Sequence, residues 1–161
     1  CRKLPVPVVV KEVGWGISEQ VAKRLSAAGV AGLDVAGAGG TSWGKVERHR
    51  ANNDNRNRIA DNFASWGIPT AESIQMARRG APRLTLIASG GLRTGIDVAK
   101  AIALGADTAG IAAPLLRAAN VSDKAVIEIM AEIIKDLRIT MFCIGASNIS
   151  ELKGSPFLEK T

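Results

Sequence analysis

The residues with the clearest chemical use lie in the run IASGGLRTG, residues 87–95. An apolar stretch ends there at Gly90 and Gly91, and Thr94 follows as a residue type that caps helices. Glycine permits positive φ and a close approach of the backbone to a ligand, while the amide N–H groups of a helix N-terminus attract anions. The run therefore predicts a phosphate-binding turn between a strand and a helix, with an ordinary tight turn as the alternative.

A second candidate is Lys11, near the end of the apolar run PVVVKEV, residues 7–13. A cation in such a run needs a partner. At the open end of a barrel it would face a binding site and stabilise a developing anion, and otherwise it pairs with Glu12 or extends into solvent. Since neighbouring residues of a strand face opposite sides, Lys11 and Glu12 cannot both face one site.

A third candidate is the segment DVAGAGGTSWGKVERHR, residues 34–50. The hydroxyls of Thr41 and Ser42 suit ring heteroatoms or phosphate oxygens, and Trp43 suits a planar or apolar group from which water is excluded. The basic residues that follow are suited to phosphate charge; they are Arg48, His49 and Arg50. A core tryptophan and a solvated charged loop are the alternatives.

Alternating strands and helices must position these groups. Short apolar runs bounded by glycine or proline predict parallel strands over 7–13, 32–37, 84–88 and 108–112, the first of them buried on both faces. Helices are predicted from Ser18 to Gly29, from Thr94 to Gly105 and from Ser122 onward, and the polar segment through Asn57 is predicted to be a long loop. About four βα units indicate an α/β fold equal to half of a (βα)8 barrel, which needs eight units and ~250 residues.

Composition narrows the class of protein further. With 47% hydrophobic residues, the 161 residues are expected to form one domain, 1–161, and no apolar run approaches the ~20 residues needed to cross a membrane. Half of the net charge of +6 lies between residues 44 and 58, and only 4% of residues are aromatic, so a nucleic-acid surface is not expected. Two distant cysteines and a single histidine favour neither a disulfide scaffold nor a zinc site, and favour a cytoplasmic setting.

Five segments together resemble, in order and spacing, the C-terminal half of type 2 isopentenyl-diphosphate delta-isomerases: VVVKEVGWGIS, DVAGAGGTSWGKVERHR, FASWGIPTAES, ASGGLRTGIDVAKAIALGAD and MFCIGASNISEL. GTSW followed by ERHR and WGIPT is the specific part, since the glycine turn is common to FMN barrels. FMN-dependent oxidoreductases of the hydroxy-acid oxidase or dihydroorotate dehydrogenase type are the alternative. The oxidases carry an asparagine-histidine-glycine-glycine motif where this chain has AGAGGTSW, which counts against them.

The resemblance implies an enzyme that interconverts isopentenyl and dimethylallyl diphosphates with reduced FMN and Mg²⁺, and with NADPH as the reductant. It also implies a homo-oligomer. It places Lys11 beside the pyrimidine edge of the flavin, with Thr41 and Ser42 close to the cofactor. It assigns the FMN phosphate to Gly90, Gly91, Leu92, Arg93, Ala112 and Ala113. Lys11 and Trp43 are given supporting catalytic roles only, and no metal ligand is expected in this chain.

The family's active-site glutamine and its neighbouring magnesium-binding glutamate belong to the first four βα units. Neither matches a residue of this chain, which is therefore expected to be truncated and inactive by itself.

Overall fold

A computed structural model describes residues 1, 3–50 and 53–157. It contains one parallel sheet in the order β1-β2-β3-β4. The strands are β1 Val9–Lys11, β2 Gly32–Asp34, β3 Thr85–Ala88 and β4 Thr108–Ala109. All four lie within the predicted runs and are shorter than predicted. Because each strand leads into helices and the next strand returns parallel to it, the predicted α/β class of consecutive βα units is confirmed.

Eight helices are described between and after the strands. They are α1 Glu19–Ala27, α2 Trp43–Arg50, α3 Asp54–Asn62, α4 Thr70–Gly80, α5 Gly95–Ala103, α6 Ala113–Ala119, α7 Asp123–Cys143 and α8 Ile149–Leu152. The side chains of Ser18, Thr94 and Ser122 cap α1, α5 and α7, the three helices that were predicted to begin at these residues. Thr94 and Asp97 form a reciprocal capping box. None of the described helices is long and apolar enough to cross a membrane.

The prediction of a long loop through Asn57 was wrong, because α2 and α3 occupy most of that segment. Both helices are short and strongly polar, so they lack the apolar stripe by which a helix is recognised in a sequence. Asn53 caps α3 by accepting from the amide of Arg56. The part of the predicted loop at Ala51 and Asn52 lies outside the described residues.

The hydrophobic core lies between one face of the sheet and the helices that cover it. Leu33 and Leu86 project from β2 and β3, and Ile74 and Ile102 meet them from α4 and α5. The first strand differs from the prediction of burial on both faces, since Val9 is 51% exposed and only Val10 packs against the core. Among the described residues β1 pairs with β2 alone, so no further strand covers its other edge.

Candidate functional site

The C-terminal ends of the four parallel strands meet at one edge of the sheet and surround a cavity of about 520 Å³. Ligands of parallel α/β folds bind at this edge, because the loops that follow the strands converge there. Eight of the predicted site residues line the cavity: Lys11, Thr41, Gly90, Gly91, Leu92, Arg93, Ala112 and Ala113. The structure thus brings together residues that are as many as 102 positions apart in the chain.

Three polar residues of the cavity were not singled out in the sequence: Asp34, Ser89 and Arg117. Asp34 lies opposite Lys11 in the register of β1 and β2, and the Lys11 Nζ is 3.7 Å from the Asp34 Oδ2. The Ser89 hydroxyl donates to the Asp34 Oδ1 at 2.6 Å. An aspartate at the end of a buried strand, across from a predicted site lysine, is the pattern by which Asp34 could have been found.

The two glycines of the 87–95 run are needed for packing as well as for their backbone conformation. Gly90 and Gly91 have φ of 104° and 87°. A Cβ at Gly90 would overlap the carbonyl of Gly37, and a Cβ at Gly91 would overlap the carbonyl of Gly39. The loops after β2 and β3 are therefore in direct backbone contact, and the glycine pair is first of all a requirement of that contact.

The amide N–H groups around the cavity give it the donors that an anion needs. Among the described residues, no protein acceptor takes the amides of Gly91, Leu92, Ala112 or Ala113. The amides of Arg93 and Thr94, by contrast, donate to the Asp97 carboxylate at 2.9 and 3.1 Å. The N-terminus of α5 is thus occupied by its own capping box, and the four donors without an acceptor among the described residues lie just before α5 and at the start of α6.

The charged side chains that line the cavity are three cations and one carboxylate, namely Lys11, Arg93, Arg117 and Asp34. A positive site with unpaired amides and with glycines at the backbone is complementary to a phosphate monoester. The residues present therefore fit the phosphate group of FMN, which the sequence resemblance implies.

The backbone at the end of β2 is strained. Ala36 is 3% exposed and has φ of 35°, an uncommon conformation for a residue with a Cβ. Its amide donates to the Asp34 Oδ1 at 3.2 Å, and its carbonyl accepts from the amide of Gly16 at 3.3 Å. These contacts hold the turn that carries the chain from β2 over the cavity.

Ser42 and Trp43 directly follow Thr41 but are not among the described residues that line this cavity. The Ser42 hydroxyl donates to the Ala64 carbonyl at 2.8 Å, and the Trp43 Nε1 donates to the Val13 carbonyl at 2.8 Å. Trp43 lines a second cavity of about 660 Å³ together with other aromatic side chains, namely Trp15, Phe63 and Trp66. In this structure both residues fix the position of the 37–50 segment.

The sequence profile of the FMN-dependent dehydrogenase family matches residues 1–159. Curated relatives include an isopentenyl-diphosphate delta-isomerase of Nostoc sp., 54% identical over 160 residues, and one of Rickettsia bellii, 53% identical over 150 residues. A third, from Stutzerimonas stutzeri, is 52% identical over 157 residues. These matches cover 99%, 93% and 98% of this chain but only 46%, 44% and 45% of the relatives. The chain thus spans less than half the length of the proteins it matches.

Solved structures with the same fold are more distant in sequence. A putative lactate oxidase of Pediococcus acidilactici has a TM-score of 0.72 at 23% identity, and the match covers 97% of this chain and 37% of the oxidase chain. A mandelate oxidase has a TM-score of 0.70 at 22% identity, and the match covers 94% of this chain and 39% of the oxidase chain. This likeness supports the fold, and each solved chain again contains more than twice the matched length.

Proposed function

Because the chain belongs to the FMN-dependent dehydrogenase family, we propose that it is one part of a flavin-binding (βα)8 barrel that interconverts isopentenyl diphosphate and dimethylallyl diphosphate. The observation that carries the proposal is the convergence of Lys11, the glycine pair and Arg93 on one cavity. The names of relatives at 52–54% identity give the substrate class.

In this proposal the FMN phosphate is held at the turn between β3 and α5 and at the start of α6. No acceptor in the part of the chain that the structure describes takes the amides of Gly91, Leu92, Ala112 and Ala113, and Arg93 supplies a guanidinium that suits phosphate oxygens. Thr41 lines the same cavity and offers its hydroxyl to the cofactor.

Lys11 has an electrostatic role in the proposal. Its ammonium lies at the C-terminal end of β1, on the cavity, and stabilises negative charge that develops on a group bound there. When bound, reduced FMN supplies the proton addition and removal that shift the double bond. Trp43 is proposed to limit the entry of water, as part of the 37–50 segment that its Nε1 attaches to the carbonyl of Val13.

The remaining expectations belong to the same proposal and are supported by the resemblance. They are Mg²⁺ for the substrate diphosphate, NADPH as the reductant of the flavin, a homo-oligomer, a cytoplasmic setting, and residues 1–161 as a single partial barrel. Ser42 is proposed to lie near the cofactor beside Thr41, with its hydroxyl donating to the carbonyl of Ala64.

The test uses the complete protein from which this chain comes, with FMN, dithionite and Mg²⁺. We expect isopentenyl diphosphate to be converted to dimethylallyl diphosphate, and no conversion when the flavin is left oxidised. The matched assay supplies lactate or mandelate with an electron acceptor. Turnover of either hydroxy acid without isomerase activity would replace this proposal by the oxidoreductase alternative.

A further inference from the structure

Asp34 is a buried carboxylate with polar partners on three sides. It is 8% exposed at the end of β2, and its Oδ1 accepts from the Ser89 hydroxyl at 2.6 Å and from the amide of Ala36 at 3.2 Å. Its Oδ2 faces the Lys11 Nζ at 3.7 Å. Burial of a carboxylate costs free energy unless it is hydrogen-bonded and paired. The contacts of Asp34 offset this cost and hold both of its oxygens in fixed directions.

Lys11 has the opposite character, since its side chain is 57% exposed. A free lysine side chain with this exposure populates many rotamers, and ordering it has an entropic cost. Here its Nζ donates to the Glu12 carbonyl at 2.9 Å and lies near the Asp34 carboxylate. An ammonium has three protons, and only one of them is donated to a protein acceptor among the described residues, the Glu12 carbonyl, so protons remain for a group in the cavity.

We propose that Asp34 is a positioning residue for Lys11, and that it holds the ammonium against the bound flavin. The register of the sheet supports this role, because Lys11 and Asp34 are directly paired across β1 and β2. A slip of one residue would place the two side chains on opposite faces. The inference rests on the proposed function, in which Lys11 stabilises the anionic form of reduced FMN.

A positioning role and a purely electrostatic role predict opposite results when Asp34 is neutralised. Asp34 is the one carboxylate among the described charged residues of the cavity, the others being Lys11, Arg93 and Arg117. If only its charge mattered, its removal would make the cavity more positive and would favour the anionic flavin. If it positions Lys11, its removal releases the ammonium and disfavours the anionic flavin.

Asp34→Asn separates the two roles with little change of shape. The amide oxygen can keep the bonds from Ser89 and Ala36, which orients the NH₂ group toward the Lys11 ammonium. Two donors then face each other, so the ammonium moves away.

The experiment follows the absorbance of reduced FMN against pH, without oxygen, in the complete protein. Lys11→Met is expected to raise the pH midpoint of flavin ionisation by about one unit, and Asp34→Asn by about half a unit. In the Lys11→Met background Asp34→Asn should give no further rise, because Asp34 raises the midpoint only through Lys11. An unchanged or lowered midpoint in Asp34→Asn, beside a raised midpoint in Lys11→Met, overturns the inference and leaves the proposed function intact.

Two further variants complete the design. Asp107→Asn removes a different ion-paired carboxylate, at the start of β4, and should lower the melting temperature without moving the flavin midpoint. If Asp34→Asn does not fold, Ser89→Ala releases the same carboxylate from one side and should raise the midpoint by a smaller amount. If the flavin midpoint does not rise in Ser89→Ala, the positioning role is overturned. If the midpoint does not shift in Lys11→Met, both the positioning role and the proposed place of Lys11 beside the flavin are overturned.

Discussion

Lys11 brings the charge on which the proposed chemistry depends. We expect Lys11→Ala in the complete protein to weaken FMN binding and to reduce turnover by ~10²-fold or more, because the anionic flavin loses a preorganised cation. Lys23→Ala, on the exposed surface of α1, removes the same charge away from the cavity and should leave both quantities unchanged. Steady-state rates at saturating FMN decide the matter, and a near-normal rate in Lys11→Ala would exclude Lys11 from the mechanism.

Gly91 is constrained by the neighbouring loop more than by its own φ. Gly91→Ala would force a Cβ into the backbone of Gly39, whereas Gly145→Ala meets nothing within 4 Å although Gly145 also has a positive φ of 72°. We expect Gly145→Ala to cost about 1 kcal/mol of stability. Gly91→Ala should cost more and should also weaken FMN binding. Urea unfolding and equilibrium dialysis with FMN measure the two effects, and equal losses in both variants would mean that the loops do not touch.

The types and positions of single residues made part of the site predictable. Glycines before a capping threonine and a lysine in an apolar strand are local patterns, and Lys11, Gly90 and Gly91 all reach the cavity. Asp34 and Ser89 were missed because their roles depend on the pairing of three strands, which no local pattern contains. The partners of Ser42 were equally invisible, since Ala64 approaches it only through the packing of α2 and α3.

Asp107 connects three elements at the end of the sheet away from the cavity. Its carboxylate accepts from the Arg78 guanidinium of α4 at 2.7 Å, from the amide of Leu86 in β3 at 2.8 Å and from the Lys153 ammonium. Burial by itself would raise the pKa of Asp107, but the bonds from Lys153, Leu86 and Arg78 outweigh it and lower the pKa to about 2. The carboxylate thus fastens α4 and the segment after α8 to the start of β4.

This low pKa makes the stability of the fold depend on pH. A carboxylate whose pKa is lower in the folded state stabilises the fold above its unfolded value of 3.8, and that contribution is lost as the pH falls toward about 2. With the side chain one third exposed, we expect Asp107→Asn to cost about 1 to 2 kcal/mol at pH 7 and much less at pH 2 to 3. Thermal unfolding across this range measures the difference. Asp61→Asn, which breaks the exposed pair with Arg48, should change little at any pH.

The elements were predictable where their own residues determine them. Capped helices such as α5 and α7 combine a polar N-cap with an apolar stripe, so their starts at Thr94 and Ser122 were placed correctly. The helices α2 and α3 have no such stripe, because they pack mainly on each other. The lengths of the strands were overestimated, since an apolar run continues into the loops that line the core and the cavity.

The sheet of this chain has two open edges in the described residues, along β1 and along β4. A (βα)8 barrel has none, because its first and last strands pair and close the ring. Unpaired N–H and C=O groups on such an edge pair readily with another chain. The exposed apolar side chains beside β1 strengthen this tendency, since Val9 and Val13 are 51% and 55% exposed.

Residues 1–161 produced by themselves are therefore expected to self-associate and to lack isomerase activity, even with reduced FMN and Mg²⁺. Two copies can close a ring by placing the β1 of one beside the β4 of the other, and each copy would then present its own glycine turn to FMN. Light scattering after size-exclusion chromatography gives the mass, and an isomerase assay on the same sample gives the activity.

Val9→Lys should reduce the association by placing a charge beside the open edge, whereas Val21→Lys on the surface of α1 should not. An active monomer would contradict both expectations, because it would need neither a second copy to cover the edges nor the residues that the relatives have in addition.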